Sequence, residues 1–265
     1  MSAAGVVPRL GLRENLPQFA LLVVVNALVG AMLGMERSLV PTLAGQVFHL
    51  AAHAAVMSFI AVFGVSKAMT NLIAGEVSER VGRKRVLVAG WLLAAPVPWL
   101  LMWAPSWSWI LVANLLLGVS QGLTWSTTVV MKVDLAGPRQ RGLAMGLNEF
   151  AGYGAVAASA WMTGWVAARW GLRPQPFYLG VLYVAAGLFL STAMVRETLH
   201  HARQEGASST PASSDLSPLK VFWRTTVQER SLSAVTQAGF VNNLNDGMAW
   251  GLFPVIFTTA GLSLT

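Results

Sequence analysis

Runs of about twenty apolar residues recur along the chain, separated by short polar or basic connections. At about 1.5 Å of rise per residue, such runs are long enough to cross a bilayer as helices. The pattern predicts seven spans, near Phe19–Leu39, Val56–Gly75, Val86–Met102, Trp109–Met131, Leu143–Ala168, Phe177–Val195 and Leu232–Ala260. The first is too long in its apolar core, and lacks a small-x-small site after it, to be a cleavable signal. Pro41 is expected to break the first helix near its far end. The third-to-fourth connection, Ala104–Ser108, is short, and Trp99, Trp103, Trp107 and Trp109 around it suit an interfacial aromatic belt. The sixth-to-seventh connection, about Arg196–Ser231, is long and polar, and its Gly206–Pro218 stretch reads as a flexible linker.

Composition agrees with a lipid solvent. Hydrophobic residues make up 55% of the 265 and charged residues only 11%, against about 25% charged in ordinary soluble domains. Eighteen Lys and Arg against eleven Asp and Glu give a net charge of +7. The basic residues fall between apolar runs rather than on a soluble basic face, so nucleic acid is not an expected partner. Arg9, Arg13, Arg80, Arg83, Lys84, Arg85, Lys132, Arg139, Arg141, Arg196, Arg203, Lys220, Arg224 and Arg230 fall on one side of the predicted topology; only Arg169 and Arg173 fall on the other. The rich side, with the N-terminus, is expected to be cytoplasmic in a multi-pass protein of the inner (plasma) membrane. The chain has no Cys, and its four His lie in predicted loops, without a constellation that would hold a metal. No cofactor or metal site is expected, and no enzyme activity.

The connection after the second span reads Gly75-Glu76-Val77-Ser78-Glu79-Arg80-Val81-Gly82-Arg83-Lys84-Arg85. It resembles the cytoplasmic signature loop of the major facilitator superfamily, with mild departures at Val77, Ser78 and Glu79. Gly82 suits a tight turn, Gly75 a close helix approach, and Glu79 a charge network with Arg80 and Arg83. The resemblance implies that Glu79 interacts across two membrane halves and helps latch the outward-open state. Arg196-Glu197-Thr198 and Pro138-Arg139-Gln140-Arg141-Gly142 are similar to other connections of the family. Gly142, Gly146, Gly152 and Gly154 resemble the Gly-rich fifth span of its antiporters, although the proline of that motif is missing. Asn114 also stands where many efflux members carry Arg.

The resemblance implies an all-α fold: a polytopic bundle with a six-helix N-terminal half over residues 1–195, a cytoplasmic linker over 196–231, and a seventh transmembrane helix over 232–265. The rest of a C-terminal half is the missing partner. It further implies secondary active transport of a small organic solute by alternating access, coupled to protons and most simply export. Uptake by symport and a truncated, non-transporting membrane protein remain open.

Ionisable groups within predicted spans are the candidate site, because each is costly in hydrocarbon. On the first span Asn26, Gly30, Gly34 and Arg37 share a face. Glu36 lies about 100° round from Arg37, so the two are expected to need different partners. They either bind substrate or proton, or snorkel to the outer interface. On the fourth span Asn114, Gly118, Gln121, Trp125, Thr128 and Lys132 form a polar stripe that should line a cavity or meet polar neighbours. Gly142, Gly146, Glu149 and Tyr153 make a similar face on the fifth, with Glu149 either a protonatable group or a partner of Arg141 or Lys132. Lys67 and Asn71 on the second span read as structural. The seventh span offers Asn242, Asn243 and Asp246, with Trp250 following and Pro254 expected to break the helix, as a coupling or substrate site.

Overall fold

The computed structural model describes residues 10–50, 53–208 and 217–261. The described residues are helical, with no strand among them. The order is α1 (Leu16–Gln46), α2 (His53–Val81), α3 (Arg83–Ala94), α4 (Pro96–Trp103), α5 (Trp107–Ala136), α6 (Arg141–Trp170), α7 (Tyr178–Ala193) and α8 (Leu199–Ser208), followed by α9 (Pro218–Trp223) and α10 (Arg230–Thr259). Among the described residues, five stretches are long and apolar enough to cross a membrane: Leu16–Gln46, Met57–Val81, Arg83–Trp103, Trp107–Ala136 and Gln175–Ala193. Helices α6 and α10 have 30 residues each, a length of about 45 Å at 1.5 Å per residue, but carry more polar positions.

Several local expectations are corrected. Helix α1 runs through Pro41 to Gln46; the proline only removes one donor, so the Arg37 carbonyl loses its i+4 partner. Helix α10 likewise continues through Pro254. The connection after α7 is not wholly a linker. Helix α8 occupies Leu199–Ser208, tied down by Arg141 Nη2, which donates to Glu205 Oε1 at 2.6 Å. His200 and His201 therefore sit on a helix, not a loop. Of the Gly206–Pro218 stretch, residues 209–216 lie outside the described residues, as do Arg9 and the C-terminal residues 262–265. The chain divides after residue 208 into two compact units.

In the first unit, α5 is the central element, packed by α1, α2, α3 and α6, while α1 also lies along α6 and α7. Its core includes Leu22, Val25, Val29, Met32 and Met35 of α1, with Trp91, Leu117 and Phe177 from its neighbours. Small residues set the close crossings. A Cβ on Gly30 would fall 2.3 Å from the Gly152 carbonyl oxygen, and one on Gly34 would fall 2.1 Å from that of Val156. The equal steps 30–152 and 34–156 mean that α1 and α6 run parallel. Gly118 meets Ser66 and Phe63 of α2 in the same way, and Gly122 meets Thr70. Backbones this close gain dispersion contacts where lipid supplies no hydrophobic drive between helices. Outward, Phe150, Trp161, Leu182 and Phe189 are exposed, as lipid-facing positions should be.

Gly142 and Gly146 meet nothing within 4 Å, and neither does Gly75. The close approach expected at Gly75 is absent among the described residues. The inward face of α6 is instead Ala144, Asn148, Gly152, Val156, Ser159 and Thr163. Gly34→Val should therefore lower the thermal unfolding midpoint of the detergent-solubilised protein, by the equivalent of about 1–3 kcal/mol. Gly146→Val, where space is open, should leave that midpoint nearly unchanged.

Candidate functional site

The polar positions of α5 face inward, against α1. Asn114, Gln121, Thr128 and Lys132 are all buried, and Trp125 is half-buried. Their partners descend α1 as their own numbers rise: Gln121 Nε2 donates to the Val29 carbonyl at 2.7 Å, Thr128 Oγ1 to Asn26 Oδ1 at 3.0 Å and Lys132 Nζ to the Leu22 carbonyl at 3.2 Å. The two helices are antiparallel, and the predicted stripe is a packed polar seam between them.

At one end of this seam sit Glu36 and Arg37. Arg37 Nε lies 3.6 Å from Glu36 Oε2, with the side chains 5% and 0% exposed. The expectation of separate partners is thus corrected. Although their Cα–Cβ bonds diverge by about 100°, both side chains are long enough to fold back toward each other. The pair is buried rather than snorkelling to an interface. Arg37 also packs on Phe63 and Phe59 of α2, its Cζ 4.4 and 5.1 Å from the ring centroids, a cation–π arrangement strengthened by desolvation. Asn114 lies beside Glu36, while its Nδ2 donates to the Ile110 carbonyl at 3.1 Å. Among the described residues, both Glu36 oxygens, Arg37 Nη1, Asn114 Oδ1 and Gln121 Oε1 are buried with no hydrogen-bond partner at full bonding distance. Such orphans are rare in folded proteins and call for a functional explanation.

At the other end Lys132 is fully buried. It donates to Asn148 Oδ1 of α6, and Asn148 Nδ2 in turn donates to Glu149 Oε1 at 2.6 Å. Asn26 Nδ2 donates to the Asn148 carbonyl at 3.1 Å, so α1, α5 and α6 close into one network. Of the two partners expected for Glu149, Lys132 is within electrostatic reach, whereas Arg141 is paired with Glu205. Lys132 therefore belongs to the interior, not to the basic cluster of the connections. Trp125 covers Gly152, meets Tyr153 edge-on at 5.9 Å and lies under Lys67 Nζ at 5.3 Å. Asn71 Oδ1 accepts from Ser126 Oγ at 2.8 Å.

The signature loop is held by a third set of charges. Gly82 has φ +109°, a backbone that favours glycine, and a Cβ there would lie 2.8 Å from Glu197 Oε2. Glu197 accepts from the backbone N–H groups of Arg83 at 3.0 Å and Lys84 at 3.1 Å, so it caps the N-terminus of α3 from a distant part of the chain. Arg83 Nε donates to Asp134 Oδ2 at 3.2 Å and Nη1 to Ser78 Oγ at 2.6 Å. Thr198 Oγ1 donates to the same Asp134 oxygen at 2.8 Å. The Glu79–Arg80–Arg83 network expected from sequence does not form: Arg80 pairs with Glu76, Arg83 is buried with Asp134, and Glu79 is exposed.

In the second unit Asn242 and Asn243 are exposed on α10, and Asp246 is half-buried; Asn243 Nδ2 donates to the Gly239 carbonyl at 2.8 Å. No cluster of three or more metal-ligating side chains occurs among the described residues. Outside the spans, burial and the neighbouring His200 hold His201 below the usual imidazole range.

Sequence reading passes over Asn148 and Asp134. Asn148 lies on the buried α6 face with Gly152 and Val156, about 100° from the Gly-rich face that draws attention. Asp134 carries the signal of a lone carboxylate where a span ends beside basic residues.

A bundle of spanning helices with its polar groups turned inward is the construction of a polytopic membrane protein. The sequence profile of the Major Facilitator Superfamily matches residues 22–265, and the chain belongs to that family. No curated protein matches the chain in sequence. Among solved structures, a D-xylose-proton symporter matches with TM-score 0.62 and 17% identity, over 92% of this chain and 63% of that one. A mutant peptide transporter POT in complex with alafosfalin matches with TM-score 0.58 and 18% identity, over 85% of this chain and 46% of that one. A POT family transporter in complex with a thioalcohol-conjugated peptide matches with TM-score 0.59 and 13% identity, over 91% and 52%. At these identities the likeness is one of fold, and the chain spans about half the length of these transporters.

Arg83 and Asp134 should behave as a coupled buried pair. Asp134→Ala leaves the Arg83 guanidinium buried and uncompensated, and should cost about 3–5 kcal/mol in chemical unfolding. Arg83→Leu combined with Asp134→Leu should recover much of that loss in the same assay.

Proposed function

We propose that the full-length protein is a proton-coupled transporter of a small organic solute, working by alternating access in the plasma membrane, with Glu36 and Arg37 as the coupling pair. The observation that carries this reading is the fully buried ion pair, whose carboxylate oxygens and one guanidinium nitrogen lack hydrogen bonds at full bonding distance among the described residues. A charged pair in hydrocarbon is costly unless it is used. Its N-terminus and the Arg80–Arg85 end lie in the cytoplasm on this reading, and the chain's unmatched partner is a C-terminal half beginning with α10. Asn114, Gln121 and Trp125 shape the seam beside the pair. Lys132, Asn148 and Glu149 hold the opposite end of the seam closed. Asn242, Asn243 and Asp246 are the polar groups that α10 itself carries.

The pair also bears on direction. When a proton neutralises Glu36, Arg37 loses its counter-ion and is free to take an acidic group of the solute. Proton and solute then bind cooperatively, by the reciprocity that governs linked sites. This favours uptake by symport over the export expected from the Gly-rich fifth span, since export by exchange needs proton and solute to compete. The same pairing favours an anionic or zwitterionic solute.

Proteoliposomes carrying the full-length protein, tested for uptake and counterflow across a panel of small carboxylic acids and peptides, check this. An inward proton gradient should drive accumulation, and Glu36→Gln should abolish that drive while sparing counterflow. Arg37→Gln should abolish both. Gradient-driven uptake that survives in Glu36→Gln would refute the assignment, and accumulation driven by an outward proton gradient would refute symport.

A further inference from the structure

An open cleft of about 730 Å³ lies on the outer surface of the first unit, between the start of α3 and the end of α7. It is lined by Arg80, Lys84 and Arg85 around the start of α3, and by Val88, Ala89 and Leu92 further along that helix. The spacing is that of one helix face: Arg85, Ala89 and Leu92 stand at i, i+4 and i+7. Three cations thus sit at one end of an apolar trough about 10 Å long, at 1.5 Å per residue. Leu92 is 56% exposed, and Thr192 of α7 forms the facing wall.

The charges in the cleft are unequally committed. The one carboxylate lining it, Glu197, is spent on the backbone N–H groups of Arg83 and Lys84. Arg80 is paired with Glu76. Arg85 donates to the Val81 carbonyl at 3.5 Å, and among the described residues neither it nor Lys84 forms an ion pair. Two cations therefore remain available at the point where the chain leaves the apolar zone. Basic pockets between spanning helices at the cytoplasmic surface suit anionic head groups.

We infer that this cleft binds an anionic glycerophospholipid, with the phosphate between Lys84 and Arg85 and an acyl chain along Ala89 and Leu92. Free phosphate would use only the basic end; the apolar trough continuing from it selects a molecule with both chemistries. Because Lys84 and Arg85 directly follow Gly82 and the buried Arg83, an occupied cleft would also brace the turn that carries the Asp134 contact. The inference rests on the cytoplasmic placement of this loop but not on transport, so a binding experiment tests it separately from the transport reading.

The test is native mass spectrometry of the full-length protein released from mixed micelles containing phosphatidylglycerol and phosphatidylcholine. Phosphatidylglycerol should be retained preferentially. Lys84→Gln and Arg85→Gln should each weaken retention about fivefold, the effect of one basic residue near an anionic head group. Arg169→Gln, at the other end of the bundle, should not. Ala89→Trp fills the trough without changing charge and should also weaken retention, which keeps the test decisive if the charge variants fold poorly. Equal retention of the two lipids, or unchanged retention in Ala89→Trp, would overturn the inference. So would complete displacement of the lipid by excess inorganic phosphate, which would reduce the site to a simple anion pocket.

Discussion

Hydrocarbon offers a buried polar group no water, so each must find a partner inside the protein or pay heavily in free energy. The α1–α5 seam shows how this chain meets that constraint. Gln121, Thr128 and Lys132 reach α1 backbone or side-chain acceptors in antiparallel register, and Asn148 brings α6 into the same network. The close packing of Gly30 and Gly34 against α6 is what lets Asn26 reach Asn148 at all. Packing and polar pairing are therefore one arrangement: widening either crossing would strand several polar atoms together.

The two ends of the seam differ. Around Lys132 the hydrogen bonds link three helices, and the network serves to fix their positions. Around Glu36 and Arg37 the carboxylate has little beyond the neighbouring Asn114, the guanidinium is only partly satisfied, and Pro41 withdraws a donor from the Arg37 carbonyl. An under-satisfied pair is poised to change partners, whereas a satisfied one is not. The signature loop adds a satisfied cluster at the basic end, where Glu197 and Asp134 tie α3, α5 and the chain after α7 together. Rigid fixtures at one end and a labile pair at the other suit a body that rocks as a unit around a site that can be altered by a proton.

Much of this was legible without coordinates. Apolar run length located the segments that become α1 to α7, with some ends five to seven residues short and α3 and α4 read as one span, because hydropathy records the solvent rather than the helix ends. The α5 stripe was legible because helical period aligns residues three and four apart. Side-chain partnership was less accessible. Glu36 and Arg37 diverge at the backbone and meet only through their length, which no periodicity encodes. On α6 Gly142, Gly146 and Gly154 marked an open face, while Asn148, beside Gly152 on the true inner face, looked ordinary. Glu197 caps a helix that begins more than a hundred residues earlier in the chain, a contact set by the bundle and not by local sequence. The path of α1 through Pro41 had the same origin: tertiary packing outweighed the loss of one helical hydrogen bond.

The central claim is that Glu36, buried beside Arg37, takes up and releases a proton within the membrane. Infrared difference spectroscopy of the reconstituted full-length protein tests it without knowing the solute. On acidification across the physiological range, the expected result is a carboxylic-acid C=O band that shifts in deuterated water and is lost in Glu36→Gln. An acid-induced spectrum that is identical in the wild type and Glu36→Gln would contradict the claim, and would leave the pair a structural contact.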